Sequence, residues 1–217
     1  VLLGGSAAAQ QSFLSHSRTQ EASADQAAVK YLSDAGYNAK GLLTFLEKLS
    51  NQEILTSTQQ SEYIRTHPLS RNRISYLREN VDKTRHKQAF PPAWVERFDR
   101  IQAKLMGFIY PEQALYFPSD TVAHRYAKAI AHYRKSDLEN GLKMIDALIK
   151  EEPENPYFHE LRGQMLYENN RISDSIPSYA KAVSILPHSG LIRTSYAQAL
   201  LAEAKTESQY KSVITNL

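Results

Sequence analysis

Two carboxylates, Glu21 and Asp25, lie four residues apart in an alanine-rich stretch that predicts a helix. This spacing puts both side chains on one face of the helix. The residues between them, Ala22, Ser23 and Ala24, are small and leave room for a neighbouring group. Because zinc accepts carboxylate oxygens, Glu21 is a candidate metal ligand. Asp25 is then a candidate supporting residue that orients another ligand through a hydrogen bond.

A catalytic zinc site needs more ligands than this stretch offers. Such sites use three protein ligands and leave one position for water. In one large class, two histidines come from an HExxH helix, whose glutamate is the general base, and a glutamate from a later helix is the third ligand. None of the seven histidines here is four residues from another. If Glu21 binds zinc, the other ligands lie outside these residues, and we expect this chain alone to bind zinc weakly and to be inactive.

The same acids have a simpler interpretation. Charged residues on a helix usually pair with one another in solvent. Glu21 is three residues from Arg18, and Asp25 is five residues from Lys30. Spacing alone favours these solvated pairs over a metal site.

A second candidate segment begins at His67-Pro68 and ends at Arg73. His67 is a candidate donor to the oxyanion of a tetrahedral intermediate. Alternatively, it binds the open metal position and keeps the enzyme inactive, with the polar residues 51–66 as a lid loop. Its simplest role is that of a helix N-terminal residue. Arg73 either holds a carboxylate, for which Asp25 is the candidate, or covers the core with its aliphatic stem.

Three motifs carry a family resemblance: Ser17-Arg18 followed by Glu21 and Ala24-Asp25, then Ala35-Gly36-Tyr37-Asn38, then His67-Pro68 with Arg73. Together they resemble the region around the third zinc ligand of the HtpX/BepA-type metalloproteases, which are gluzincins of the CAAX prenyl protease superfamily. The resemblance covers about 10–110. It implies that Glu21 is the zinc ligand, that Asp25 supports the site, and that His67 and Arg73 lie near it.

The resemblance also implies a function. It predicts that the chain is the C-terminal part of a zinc-dependent metalloendopeptidase that hydrolyses peptide bonds of protein substrates with metal-activated water. It further implies a periplasmic enzyme of envelope protein quality control. The opening residues 1–5 read as the tail of an earlier segment. The alternative is a non-catalytic interaction scaffold that keeps the protease-like helices.

The predicted fold is all-α, because helix-favouring residues dominate and glycine is scarce. The patterns predict helices over 6–35, 39–50, 69–88 and 93–107. Gly36 is expected to end the first helix and Asn38 to cap the second. The fourth helix carries its large apolar residues on one face: Trp94, Phe98, Ile101 and Leu105. We predict a protease-domain part over 1–110, a linker over 111–119 and a repeat region over 120–217.

The repeat region has a period of 34 residues. Small residues recur at Ala129, Gly163 and Ala197, and prolines at Pro153 and Pro187. This period resembles the tetratricopeptide repeat family, in which helical hairpins stack side by side. Three positions depart from the family pattern: Arg125, His159 and Ser175. The resemblance implies that the repeats bind a protein partner or the substrate.

Composition excludes several classes of protein. The chain has 217 residues, a formal charge of +3 and no cysteine. The absence of cysteine excludes disulfides and thiolate metal sites. The mild charge argues against a nucleic-acid binder, and we expect the basic stretch 65–87 to be a solvated helix face. No apolar run reaches the roughly 20 residues of a membrane helix.

Overall fold

The computed structural model describes residues 19–55, 71–81 and 89–215. Within these ranges every regular element is an α-helix, which confirms the predicted all-α class. The chain divides into two compact units, Val1–Pro91 and Pro92–Leu217.

The first unit contains three described helices. They are α1 (19–34), α2 (Lys40–Leu55) and α3 (Arg71–Val81). Each contributes one apolar face to a shared core, whose buried members are Val29, Ala39, Leu46, Leu77 and Val81. The apolar face of α2 packs in or against this core through Leu42, Leu43, Leu46 and Leu49, whereas Phe45 is half exposed.

The turn between α1 and α2 follows the sequence signals. Gly36 has φ of 84°, a left-handed conformation that glycine adopts without steric cost. Tyr37 N donates to Leu32 O at 2.8 Å, which satisfies a carbonyl at the end of α1. Asn38 Oδ1 accepts from Lys40 N at 2.6 Å and so caps α2. The predicted end of α1 at Gly36 and the predicted cap of α2 at Asn38 are both confirmed.

Replacing Gly36 with alanine tests this turn. We expect the change to destabilise the first unit by about 1 kcal/mol, because an L-residue in the left-handed region costs about 1–2 kcal/mol and the stiffer unfolded chain offsets part of that cost. Amide exchange across 19–55 measures the change. Gly41→Ala is the matched control: a Cβ there meets no atom within 4 Å, and the helical position favours alanine. Equal protection in both variants would contradict the role of Gly36.

The predicted loop over 51–66 begins too early. Helix α2 continues to Leu55, so 51–55 are helical. The residues of this turn include glutamine, glutamate and leucine, which favour helix even where the apolar pattern is weak. The remainder of that loop prediction lies outside the described residues. The predicted helix over 69–88 is helical over its described part, Arg71–Val81.

The second unit begins with a long helix and a short one, followed by three helix pairs. The helices are α4 (Pro92–Ile109), α5 (Pro111–Ala114), α6 (Val122–Arg134), α7 (Leu138–Glu151), α8 (Pro156–Glu168), α9 (Ile172–Ile185), α10 (Gly190–Glu203) and α11 (Glu207–Thr215). The first helices of the three pairs start at Val122, Pro156 and Gly190, at intervals of 34 residues. The period read from the sequence is therefore the spacing of the helix pairs.

Small residues let the helices of each pair approach closely. A Cβ on Gly141 would lie 3.3 Å from the carbonyl oxygen of Ala129, and one on Gly163 would lie 2.9 Å from the Tyr179 ring. Real Cβ atoms rarely make such short contacts, so the glycines are needed for this packing. The packing thus explains why small residues occur at Gly141 and Gly163, while assignment to the tetratricopeptide family stays a prediction.

Side-chain caps start four of these helices. The side chain of the residue before each helix accepts a hydrogen bond from a backbone N–H of the first turn, an arrangement that stabilises a helix start. The capping residues are Thr121 for α6, Asp137 for α7, Asn155 for α8 and Ser189 for α10.

Helix α4 belongs to the second unit, so the predicted boundary at 111–119 differs from the division between Pro91 and Pro92. The reason lies in its small residues. Ala103 and Gly107 are buried against α6, and a Cβ on Gly107 would lie 2.7 Å from Ile130 Cβ. The large apolar face described above is more than half exposed, with exposed fractions of 53–58%. The sequence pattern showed that face, but the packing uses the opposite one.

Candidate metal centre

Helices α1 and α3 bring three charged side chains together in the first unit. Arg73 Nε donates to Asp25 Oδ2 at 2.6 Å, and Arg73 Nη2 donates to Asp25 Oδ1 at 3.0 Å. The same Nη2 lies 3.1 Å from Glu21 Oε2. One guanidinium therefore holds both acids of the motif, with a two-pronged contact to Asp25.

The core of the unit fixes where these side chains meet. Asp25 lies one helical turn before Val29, and Arg73 lies one turn before Leu77. Residues four apart share a helix face, so both charged residues lie on faces whose next turn is buried in the core. Burial of Val29 and Leu77 consequently places Asp25 opposite Arg73, although 48 residues separate them in sequence.

The cluster is shielded from solvent. The exposed fractions of the side chains are 7% for Arg73, 6% for Asp25 and 19% for Glu21. A buried charge is tolerated only when it is paired and hydrogen-bonded. Arg73 supplies that pairing for Asp25, so the two residues form a rigid base for the more accessible Glu21.

The structure tests the predicted contacts of Asp25, while its support of a metal ligand stays a prediction. Arg73 was predicted to hold a carboxylate, with Asp25 as the candidate, and this contact is present. The solvated alternative for Asp25 is wrong, because Lys30 pairs with Asp34 one turn further along the exposed side of α1. Arg18, the alternative partner of Glu21, lies outside the described residues. The sequence did not indicate that Arg73 also contacts Glu21.

The fit of a metal ion depends on Glu21. Within 19–55, 71–81 and 89–215, no group of three His, Cys, Asp or Glu side chains is arranged to hold a metal ion. A carboxylate has two oxygens with about four acceptor positions, so Glu21 can contact Arg73 and still bind a cation. The cluster can therefore supply one ligand of a metal site, Glu21. His67, the other predicted site residue, lies outside the described residues.

Three of the four described histidines have local partners. His124 Nδ1 lies 2.9 Å from Asp120, His132 Nδ1 lies 2.9 Å from Asp137, and His159 Nε2 lies 2.8 Å from the Pro153 carbonyl oxygen.

A small cavity borders the cluster. Its volume is about 220 Å³, and Asp25, Arg73, Ala22 and Tyr76 line it. Tyr76, which was not among the predicted site residues, lies three residues after Arg73 on α3. The sequence could have indicated Tyr76 through its spacing from Arg73, because residues three apart lie on one side of a helix.

Comparison with known proteins gives a family match for the first unit. Residues 1–81 match the model of peptidase family M48. The matched region contains the Glu21, Asp25 and Arg73 cluster and ends at the last residue of α3.

Two curated relatives match both units. The β-barrel assembly-enhancing protease of Yersinia pestis is 22% identical over 193 residues, which cover 84% of this chain and 39% of that protein. The protein of the same name from Escherichia coli K12 is 24% identical over 188 residues, covering 81% and 38%. The chain spans about two fifths of the length of these relatives. None of the described helices is long and apolar enough to cross a membrane.

Proposed function

We propose that this chain is part of a zinc metalloendopeptidase in which Glu21 is one of three protein ligands. The buried contact of Arg73 with Asp25 and Glu21 carries this proposal. One carboxylate is enough to neutralise a buried arginine in a purely structural ion pair. Arg73 instead holds two acids, Asp25 and Glu21, and Glu21 is the more exposed of the two. The M48 match over 1–81 supports the same assignment.

The residues of this chain contribute positioning rather than the whole reaction. Arg73 fixes Asp25 with two hydrogen bonds and restrains one oxygen of Glu21, which leaves the carboxylate oriented for a metal ion. A bound zinc ion would polarise the scissile carbonyl and lower the pKa of a water molecule. Two histidine ligands and a general base must come from outside these residues. His67 is proposed to donate to the oxyanion or to occupy the open zinc position.

The second unit is proposed to recruit the substrate or a protein partner. Its helix pairs repeat every 34 residues, and stacked helical hairpins of this kind present extended binding surfaces. The named relatives are proteases that enhance β-barrel assembly. We therefore propose a periplasmic role in envelope protein quality control, with polypeptides as substrates.

Metal removal tests the enzyme. The full-length protein that contains this chain is expected to carry one zinc ion and to cleave casein, and 1,10-phenanthroline should abolish cleavage until zinc is restored. Elemental analysis and a gel assay measure both properties. A full-length protein without zinc and without cleavage would instead support the scaffold alternative.

The isolated chain provides a second test. A single carboxylate is a poor zinc site, so these 217 residues are expected to lose zinc to a chelator. Stoichiometric, chelator-resistant zinc in the isolated chain would contradict the incomplete site.

A further inference from the structure

Two adjoining cavities in the second unit form one groove beside α4. Their volumes are about 510 and 570 Å³, and they share the lining residues Arg97, Arg100 and Tyr157. The 510 Å³ cavity has an apolar floor, formed by Tyr126 and Phe158, whose ring centroids are 5.2 Å apart. A groove of this volume accommodates several residues of an extended chain rather than a single side chain.

The cations along the groove differ in their pairing. Arg100 is held by Glu152 at 2.6 Å, and Lys104 lies 3.3 Å from Glu160. Arg97 lines both cavities and is exposed, and no ion pair to it occurs among the described residues. Glu96 and Glu154 also line the 570 Å³ cavity, but they pair with Arg100 and Lys181. Arg97 is therefore the lining cation that no carboxylate among the described residues neutralises.

The floor contains a polar group without a partner. The Tyr126 hydroxyl is buried, and no protein atom among the described residues bonds to it. Tyr126 itself is only 3% exposed. Burial raises the pKa of its phenol, which therefore stays protonated and can donate. A buried donor without an acceptor is unusual in a folded protein, and this one lies beneath the groove rather than on its surface.

We propose that this groove binds an extended segment of a client polypeptide that carries a bulky apolar side chain next to a carboxylate. The apolar side chain packs on the exposed lining residues Ile101 and Tyr157 above that floor, and the carboxylate pairs with Arg97. Arg97 and Tyr157 line both cavities, which favours an internal segment over a chain terminus. This inference rests on the proposed recruiting role of the second unit and specifies the ligand class.

A labelled peptide tests the groove on the full 217-residue chain. The probe is fluorescein-Ser-Gly-Ser-Gly-Phe-Asp-Gly-Ser-Gly-amide, and its binding is measured by anisotropy. The Arg97→Glu variant is expected to bind it about tenfold more weakly, because an attractive charge pair becomes repulsive. Replacing Phe by Ala, or Asp by Lys, in the peptide should weaken binding to the wild type to a similar extent. The Lys peptide should recover affinity for Arg97→Glu.

Arg134→Glu is the matched control. Arg134 is exposed at the end of α6 and lines neither cavity, so this charge change should leave binding unaltered. Equal loss in both variants, or no binding of the Phe–Asp peptide to the wild type, would overturn the proposal. Undiminished binding to Arg97→Glu would overturn the groove while leaving recruitment by the second unit intact. None of these measurements needs zinc, so they are independent of the peptidase proposal.

Discussion

The Glu21→Gln variant of the full-length protein is expected to lose its zinc and to cleave casein more than about 100-fold more slowly. Loss of a residue that supports a metal ligand typically costs 10–100-fold, so loss of a ligand should exceed that range. Glutamine keeps the shape of glutamate, and its amide oxygen can still accept from Arg73. The fold of the first unit should therefore survive, and elemental analysis with a cleavage assay reports on the metal site.

Glu47→Gln is the matched control for this change. Glu47 also pairs with an arginine, Arg78, at 2.7 Å, but this pair is largely exposed. The same chemical change in the same unit should leave zinc content and cleavage at wild-type levels. If Glu21→Gln also retained full zinc and full cleavage, Glu21 would have no part in the mechanism.

Asp25 gives a graded comparison within the same cluster. In our proposal it does not bind the metal but positions Arg73, which in turn contacts Glu21. Substitution of Glu21, the ligand, should therefore reduce zinc content and cleavage more than substitution of Asp25, its support. The two acids, equivalent by helix spacing, are distinguished by burial, since Glu21 is three times as exposed as Asp25.

Local rules account for what the sequence predicted well. Gly36 and Asn38 determine the turn between α1 and α2 through backbone preferences that need no distant partner. The 34-residue period likewise appears in the sequence, because small residues and prolines recur at the same interval as the helix pairs. The all-α class follows from helix-favouring composition. These features depend on neighbours within one or two helical turns, or on a repeated unit.

Long-range choices account for what the sequence did not predict. Helix α4 has two faces that can pack, and the sequence pattern drew attention to the large apolar one. Close approach to α6 instead selects the face of Ala103 and Gly107, since only small residues allow the contact with Ile130. Because α4 packs on α6, the two units divide before this helix, between Pro91 and Pro92, rather than at the predicted 111–119. The contact of Arg73 with Glu21 is equally non-local, and chain spacing cannot report it.

The Arg73→Met variant is expected to destabilise the first unit by about 3–5 kcal/mol. Removing one partner of a buried ion pair leaves the other charge without compensation, and here Asp25 would remain buried without its arginine. Methionine retains much of the aliphatic stem, so the loss reports the guanidinium rather than packing volume. Hydrogen exchange of amides in α1 and α3 should accelerate more than about 100-fold.

Two comparisons isolate the buried charge as the cause. Arg78→Met removes a guanidinium from an exposed pair on the same helix and should cost at most about 1 kcal/mol. Arg73→Met combined with Asp25→Leu should be less destabilised than the single variants predict by addition, because no unpaired charge remains. If Arg73→Met proved as mild as Arg78→Met, the cluster would not be the rigid base on which the orientation of Glu21 depends. Zinc affinity should then also be insensitive to Arg73.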